Sequence, residues 1–129
     1  MSKKVFLIED EVAIMDVYKT ALDAADIDVV GIFSGKMAME KIKEVQEGKK
    51  EKPALVLLDL VLPDINGLDI LYTLRKNDAT KDVVVFILSN YSSDALHGMT
   101  YIKPDKIFLK SSITPSKLVE IVSAQLKIA

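Results

Sequence analysis

The stretch Ala54-Leu55-Val56-Leu57-Leu58-Asp59 combines an unbroken apolar run with a carboxylate at its end. Continuous rather than alternating hydrophobicity is typical of a β-strand covered on both faces, as in a parallel sheet. An unpaired charge at the end of such a strand would be unfavourable. The stretch therefore predicts a parallel strand of the core that carries a chemically important residue, Asp59, at its carboxyl end.

Similar runs elsewhere predict the remaining strands of an α/β fold. They are Val5 to Ile8, Asp28 to Phe33, which is expected nearer an edge, Val83 to Leu88, and the weaker Ile107 to Leu109. The segments between the strands carry apolar residues at helical spacing: Val12, Met15, Ala21, Leu22 and Ala25; Met37, Met39, Ile42 and Val45; Leu68, Leu71 and Leu74; and Leu118, Ile121, Val122 and Leu126. Strict alternation predicts a doubly wound parallel sheet of five strands with helices on both faces.

Local signals set several helix boundaries. Ser34 is expected to cap the second helix, and Gly48 to end it. Thr114 followed by Pro115 gives a capping residue and then a proline at the first helical position. These signals place the helix ends between the predicted strands.

Composition limits the kind of protein. The chain has 129 residues, a formal charge of −2 and no cysteine, which predicts one domain, residues 1–129, without disulfides or thiol chemistry. The charge argues against a nucleic-acid surface, which needs a concentrated basic patch. The apolar run after Met1 is too short for a signal peptide or a membrane span, so a cytoplasmic location is expected.

Polar residues follow four of the predicted strands. Glu9 and Asp10 follow the first strand, and Asp59 ends the third. If these three carboxylates converge, they repel one another unless a cation binds them, and their hard oxygen ligands point to Mg²⁺. Ser89 and Lys110 end the fourth and fifth, and a hydroxyl and an ammonium suit a phosphoryl group. Alone, an acidic pair is more often a helix cap, a serine a turn residue and a lysine a solvated charge. Because all five residues fall at four strand ends, a shared functional site is favoured over separate structural roles.

The segment from Asp59 to Leu71 resembles the phosphoacceptor segment of the receiver domain of two-component response regulators (CheY-like), with Pro63 four residues and Gly67 eight residues after the aspartate. The likeness covers the whole chain: its other matching segments are Val5 to Asp10, Leu88-Ser89-Asn90 and Phe108-Leu109-Lys110. The resemblance implies a single flavodoxin-like (βα)5 domain with strand order 2-1-3-4-5.

The resemblance also implies a role for each site residue. Asp59 would be the phosphoacceptor, attacking phosphorus as the nucleophile. The Mg²⁺ ligands would be Glu9, Asp10, Asp59 and the Val61 backbone carbonyl. Lys110 and Ser89 would bind the phosphoryl oxygens.

The family's partners follow from the same resemblance. The phosphoryl donor would be a sensor histidine kinase or a histidine phosphotransfer protein. A downstream output protein would bind the α4-β5-α5 face, meaning the fourth helix, fifth strand and fifth helix of the family pattern. The chain would dephosphorylate itself slowly without being a turnover enzyme, would not contact nucleic acid directly and would not insert into a membrane.

Three positions depart from the family pattern. Ser111 follows Lys110 where the family has proline, and Ile107 stands where it has an aromatic switch residue. Asn90 replaces the small residue that many relatives carry after the hydroxyl. Phe108 is expected on the opposite face of its strand from Ile107 and so is not a substitute. Val61 and Tyr91 flank the site and are expected to tune hydrolysis.

Other functions stay open at this point. A degenerate receiver would keep the fold as a phosphorylation-independent interaction module. A haloacid-dehalogenase-like phosphatase would want a second acid two residues after Asp59, where Val61 stands. The case for nucleotide binding is weaker, because no glycine-rich phosphate-binding loop follows the first strand. The chain ends just after its last predicted helix, which favours a stand-alone receiver over a piece of a longer regulator.

Overall fold

The computed structural model describes residues 3–90 and 102–127. Its sheet has five parallel strands in the order β2-β1-β3-β4-β5, which confirms the expected fold and strand order. The strands are β1 (Val5–Ile8), β2 (Val29–Ile32), β3 (Leu55–Asp59), β4 (Val84–Ser89) and β5 (Lys106–Leu109). Every residue of β1 and β3 is buried, as their continuous apolar runs predict.

The described helices lie between these strands and after the last one. They are α1 (Val12–Ala24), α2 (Gly35–Gln46), α3 (Gly67–Lys76) and α4 (Pro115–Leu126), with a short 3₁₀ turn at Lys110–Ser112. Helix α4 is the fifth helix of the expected pattern, because the segment between β4 and β5 lies mostly outside the described residues. No helix in the described ranges has the length and apolar character needed to cross a membrane.

The predicted helix caps are present. The Ser34 hydroxyl accepts a hydrogen bond from the Met37 amide at 3.1 Å, and the Thr114 hydroxyl accepts one from the Lys117 amide at 3.1 Å. Gly48, just beyond the end of α2, has a φ of 77°, which glycine adopts readily.

The core has one apolar layer on each face of the sheet. Helices α2 and α3 cover the layer that contains Ile8, Val56 and Leu58, and α1 and α4 cover the layer that contains Leu7 and Leu57. Neighbouring residues of a strand therefore serve opposite layers.

The same alternation separates two residues of β5. Ile107 packs against the layer under α2 and α3, and Phe108 packs against the other. The Phe108 ring meets that of Phe86 edge to face, with centroids 5.5 Å apart. The expectation that Phe108 lies on the opposite face of the strand from Ile107 is confirmed.

Two residues predicted to face the core do not. Val12 is 70 % exposed and Met37 is 39 % exposed. Both lie in the first turn of their helices. The buried residues of α2 are Gly35, Ala38, Ile42 and Val45. Met37 lies beside this stripe rather than on it, and Val12 is the first residue of α1.

Candidate functional site

The register of the sheet brings four chain segments to one edge. Ile8 lies beside Leu58 in the pairing of β1 with β3, so Glu9 and Asp59 follow at the same level. Asp59 pairs with Leu88, one residue before Ser89, and Ser89 pairs with Leu109, one residue before Lys110. The polar residues that end these strands therefore lie within two residue steps of each other along the strand direction.

Three carboxylates meet at this edge. Glu9, Asp10 and Asp59 each offer an oxygen, and these oxygens lie within 4.8 Å of one another. Glu9 is 1 % exposed and Asp59 is 5 % exposed. Such a buried cluster of like charges is unfavourable unless cations share it.

Lys110 supplies one positive charge. Its Nζ lies 2.6 Å from Glu9 Oε1 and 3.1 Å from Asp59 Oδ2. Burial lowers the pKa of Lys110, but its contacts with Glu9 and Asp59 and their charges outweigh burial and raise that pKa above its ordinary value. The lysine is therefore a cation held against both acids.

One carboxylate oxygen of Glu9 still lacks a hydrogen bond despite this contact. Its Oε2 accepts a hydrogen bond from the Glu11 amide at 3.2 Å. Its Oε1 is buried and accepts no well-aligned hydrogen bond within the described ranges, so the Lys110 contact is an ion pair without good bond geometry. Burial, helped by Asp59 and opposed by Lys110, raises the pKa of Glu9 to about 7.

A divalent cation fits this donor set. Three carboxylates face one ammonium, and a buried carboxylate oxygen lacks a bond. Carboxylate oxygens without nitrogen or sulfur donors are the ligands that Mg²⁺ prefers. The residues present therefore suit the Mg²⁺ that the sequence predicts.

A tight loop fixes Asp59. Its Oδ1 accepts a hydrogen bond from the Val61 amide at 3.1 Å, and the Gly67 amide donates to the Leu60 carbonyl at 3.0 Å. A Cβ at position 67 would lie 2.6 Å from Leu60 Cα and 2.9 Å from the Asp59 carbonyl oxygen. Only glycine allows the start of α3 to approach the end of β3 so closely.

The remaining predicted residues have mixed positions. Ser89 is fully buried at the end of β4, Asn90 after it is exposed, and Ile107 is partly buried. Val61 is 57 % exposed; its amide binds Asp59, and the role of its carbonyl stays a prediction. Tyr91 lies outside the described residues.

Sequence reasoning missed two residues near the site. Asp64 accepts hydrogen bonds from the Gly35 and Lys36 amides, both at 2.9 Å, and so caps α2 from the loop after β3. Tyr18 is buried on α1. The signal for Tyr18 was available, because Met15, Tyr18 and Leu22 follow each other at helical spacing; nothing in the sequence indicates the Asp64 contact across 29 positions.

Comparison with known families decides the assignment. A model of the response regulator receiver domain matches residues 5–123. The chain belongs to this family. Receiver domains are the phosphoryl-accepting signalling domains of two-component systems and bind Mg²⁺ in an acidic pocket.

Relatives of this receiver domain include known regulators. It is 36 % identical over 89 residues to the regulatory protein LuxO of Vibrio cholerae, which covers 68 % of the chain and 18 % of LuxO. It is 26 % identical over 127 residues to the DNA-binding response regulator MtrA of Mycobacterium tuberculosis, covering 98 % of the chain and 52 % of MtrA. The chain thus spans about half or less of these relatives.

A solved structure agrees with the fold. The phosphorylated cyanobacterial phytochrome response regulator RcpA superposes with a TM-score of 0.78 and 27 % identity, covering 96 % of this chain and 91 % of that one.

Proposed function

We propose that this receiver domain accepts a phosphoryl group on Asp59 from the phosphohistidine of a sensor kinase or phosphotransfer protein. An Asp59 carboxylate oxygen forms the new bond to phosphorus while the bond from phosphorus to the imidazole nitrogen breaks. The electron pair of that bond stays on the imidazole. The product is an acyl phosphate on Asp59 and a free histidine on the donor.

The surrounding residues prepare Asp59 for this transfer. The Val61 amide orients one oxygen of Asp59 by its bond at 3.1 Å. Lys110, which lies 3.1 Å from the other oxygen, would bind a phosphoryl oxygen, and Ser89 would donate to another. Glu9, Asp10, Asp59 and the Val61 carbonyl would hold Mg²⁺, which neutralises phosphoryl charge when bound.

The observation that carries this proposal is the meeting of three carboxylates and one buried ammonium at one sheet edge. A structural salt bridge needs one acid for one base. Two further buried or partly buried acids destabilise the fold unless they serve a cation. The arrangement is therefore matched to a metal and an incoming dianion rather than to stability.

The surroundings of the site support a protein as donor. Val12, Val17 and Val61 are 70 %, 50 % and 57 % exposed, on α1 and on the loop that follows Asp59. Large exposed apolar side chains beside a polar site are typical of a surface that a partner covers.

The wider role follows the family. Phosphorylation adds about 1.5 to 2 negative charges, which would draw Ser89 and Lys110 inward and change the face for the output protein; β5 and α4 are its described parts. Ile107, Asn90 and Tyr91 would tune this switch. We further propose that residues 1–129 act as one cytoplasmic domain, without nucleic-acid contact, membrane insertion or turnover of an external substrate.

The test is phosphorylation of the purified chain. Acetyl phosphate with Mg²⁺ is expected to add one phosphoryl group, detected by intact mass, and Asp59→Asn should abolish the gain. Asp69→Asn is the matched control, because Asp69 is an exposed acid in the same segment, and it should be phosphorylated normally.

A negative result has a defined meaning. If neither acetyl phosphate nor a panel of histidine kinases modifies the wild type, the chain is a degenerate receiver that binds its partners without phosphate. Sustained release of phosphate from esters at many turnovers per chain would instead indicate a phosphatase.

A further inference from the structure

Strand β5 lies at one edge of the sheet, and its apolar pattern sets its register on β4 only weakly. Ile107, Phe108 and Leu109 form a continuous apolar run, with Ile107 packed in one core layer and Phe108 in the other. Suppose that β5 shifted so that each residue took the place of the one before it. Phe108 would replace Ile107 and Leu109 would replace Phe108, so both layers would still receive an apolar side chain.

The register decides which residue reaches the acidic cluster. In the observed register Leu109 pairs with Ser89, and the next residue, Lys110, lies with its Nζ 3.1 Å from Asp59. After the shift Ser111 would stand in its place, and a serine has no charge to offset the carboxylates. Residues 90–105 join the two strands, and a connection of this length accommodates either register.

A polar clamp, which consists of Arg75 and Asp105, fixes the start of β5. The Arg75 guanidinium at the end of α3 donates to the carbonyls of Lys81 and Val83 at 3.0 and 2.6 Å, which holds it beside the start of β4. The same guanidinium lies 2.9 Å from Asp105 Oδ2, directly before β5. That oxygen also accepts a hydrogen bond from the Val85 amide of β4 at 2.8 Å.

The clamp separates the two registers by charge. The shift would put Lys106 in the place of Asp105, so an ammonium would face the Arg75 guanidinium. The amide of Val85, a buried residue of β4, would also lose its carboxylate acceptor, which is unfavourable. The clamp therefore opposes a shift that the apolar pattern of β5 tolerates.

We propose that Arg75 and Asp105 are positioning residues that lock the register of β5 on β4 and so select Lys110, rather than Ser111, as the residue at the acidic cluster. The consequence for phosphoryl binding rests on the proposed function, in which Lys110 binds a phosphoryl oxygen. The register lock itself depends only on the contacts at the opposite edge of the sheet.

A disulfide can trap the shifted register, since the chain has no cysteine of its own. Leu88 pairs with Phe108, and Leu109 faces the other side of the sheet. The pair Leu88→Cys/Leu109→Cys can therefore bridge only after the shift, which brings position 109 beside position 88. Adding Asp105→Ala should speed bridging about 3- to 10-fold, the effect of one hydrogen bond, measured by thiol labelling over time.

Two further variants show whether the lost acceptor is the cause. Asp105→Asn keeps an oxygen that can accept the Val85 amide and should leave bridging close to the rate with Asp105 intact. Asp82→Ala removes an exposed acid that precedes β4 instead, and it should not change the rate.

Fraying of β5 would give a different pattern from a shift. The pair Leu88→Cys/Ile107→Cys cannot bridge in either register, because the shift carries position 107 beside Phe86 and away from position 88. Fraying would allow this second pair to bridge. Equal acceleration of both pairs by Asp105→Ala, or no acceleration of the first pair, overturns the proposal.

The bridged protein then connects the register with the site. It should bind beryllofluoride, which mimics a phosphoryl group, about 10- to 100-fold more weakly in Mg²⁺ buffer than the same protein after reduction, because a charged hydrogen bond is lost. Adding Ser111→Lys to the bridged protein should restore the affinity. Equal affinity before and after reduction overturns the selection of Lys110. If the wild type binds no beryllofluoride, the proposed function fails, while the bridging rates still decide the role of the clamp.

Discussion

Gly67 holds the loop after Asp59 closed, and a side chain at this position has no room. A Cβ there would meet backbone atoms of Leu60 at 2.6 and 2.8 Å, and backbone cannot move aside as a flexible side chain can. Gly67→Ala should therefore lower the free energy of unfolding by about 1–3 kcal/mol, measured by urea denaturation. It should also slow phosphorylation, because the Asp59 carbonyl is among the displaced atoms.

Gly31→Ala is the matched control for this substitution. A Cβ at position 31 would meet Met15 Sδ at 3.1 Å, and a thioether can adjust at little cost. The control should lose much less stability. Equal losses in the two variants would contradict the account of the loop.

Single residues of the site differ in how far the sequence reveals them. Asp59 and Lys110 are predictable because each follows an apolar strand, and strand ends of a parallel sheet share one edge. The contact of Lys110 with Glu9 at 2.6 Å is not predictable. The flexible side chain of lysine, with four methylene groups, can reach either Glu9 or Asp59. The contact depends on packing that no local pattern encodes.

Asp64 connects the loop after β3 to the start of α2 by two hydrogen bonds. This exposed carboxylate of the β3–α3 loop accepts the first amides of α2, Gly35 and Lys36, where the helix dipole favours negative charge. These bonds lower the pKa of Asp64 below its ordinary value of 3.8. A lowered pKa means that the folded state favours the ionised form, so the stabilisation is present above the unfolded pKa and is lost as the pH falls through the folded one.

Asp64→Ala should therefore lower the unfolding midpoint at neutral pH. The difference from the wild type should shrink as the pH falls below about 4, because the wild-type carboxylate then becomes protonated as well. Thermal unfolding at a series of pH values measures this. Asp78→Ala, at an acid that is 97 % exposed, is the control and should show no such trend; a pH-independent difference at Asp64 would exclude the capping role.

The strands were predictable and the helix contacts were less so, for one reason. A strand buried on both faces leaves a continuous apolar run, so β1 and β3 are legible in the sequence. A helix shows only which residues share a face. The sequence does not say which apolar residues of α2 lie on its buried stripe or that the first residue of α1 is exposed, which is why Met37 and Val12 were wrongly placed in the core.

The whole molecule is held together at the site as well as in the core. Residues that follow β1 and β5 meet Asp59 of β3 there, and three carboxylates face one ammonium. A cation that binds this arrangement cannot bind the unfolded chain equally well, since unfolding separates residues that are 50 positions apart. Binding should therefore stabilise the entire fold.

Magnesium should raise the free energy of unfolding by about 1.4 kcal/mol at ten times its dissociation constant, measured by urea denaturation with and without the ion.

Asp10→Asn should lose most of this response, because one charged ligand is gone. In metal-free buffer the variant should be at least as stable as the wild type, since removing a carboxylate relieves repulsion from the other two. Sodium chloride of equal ionic strength controls for screening, and Asp69→Asn should respond to Mg²⁺ like the wild type. A full Mg²⁺ response in Asp10→Asn would show that the ion binds elsewhere. The acidic cluster would then not be the metal site.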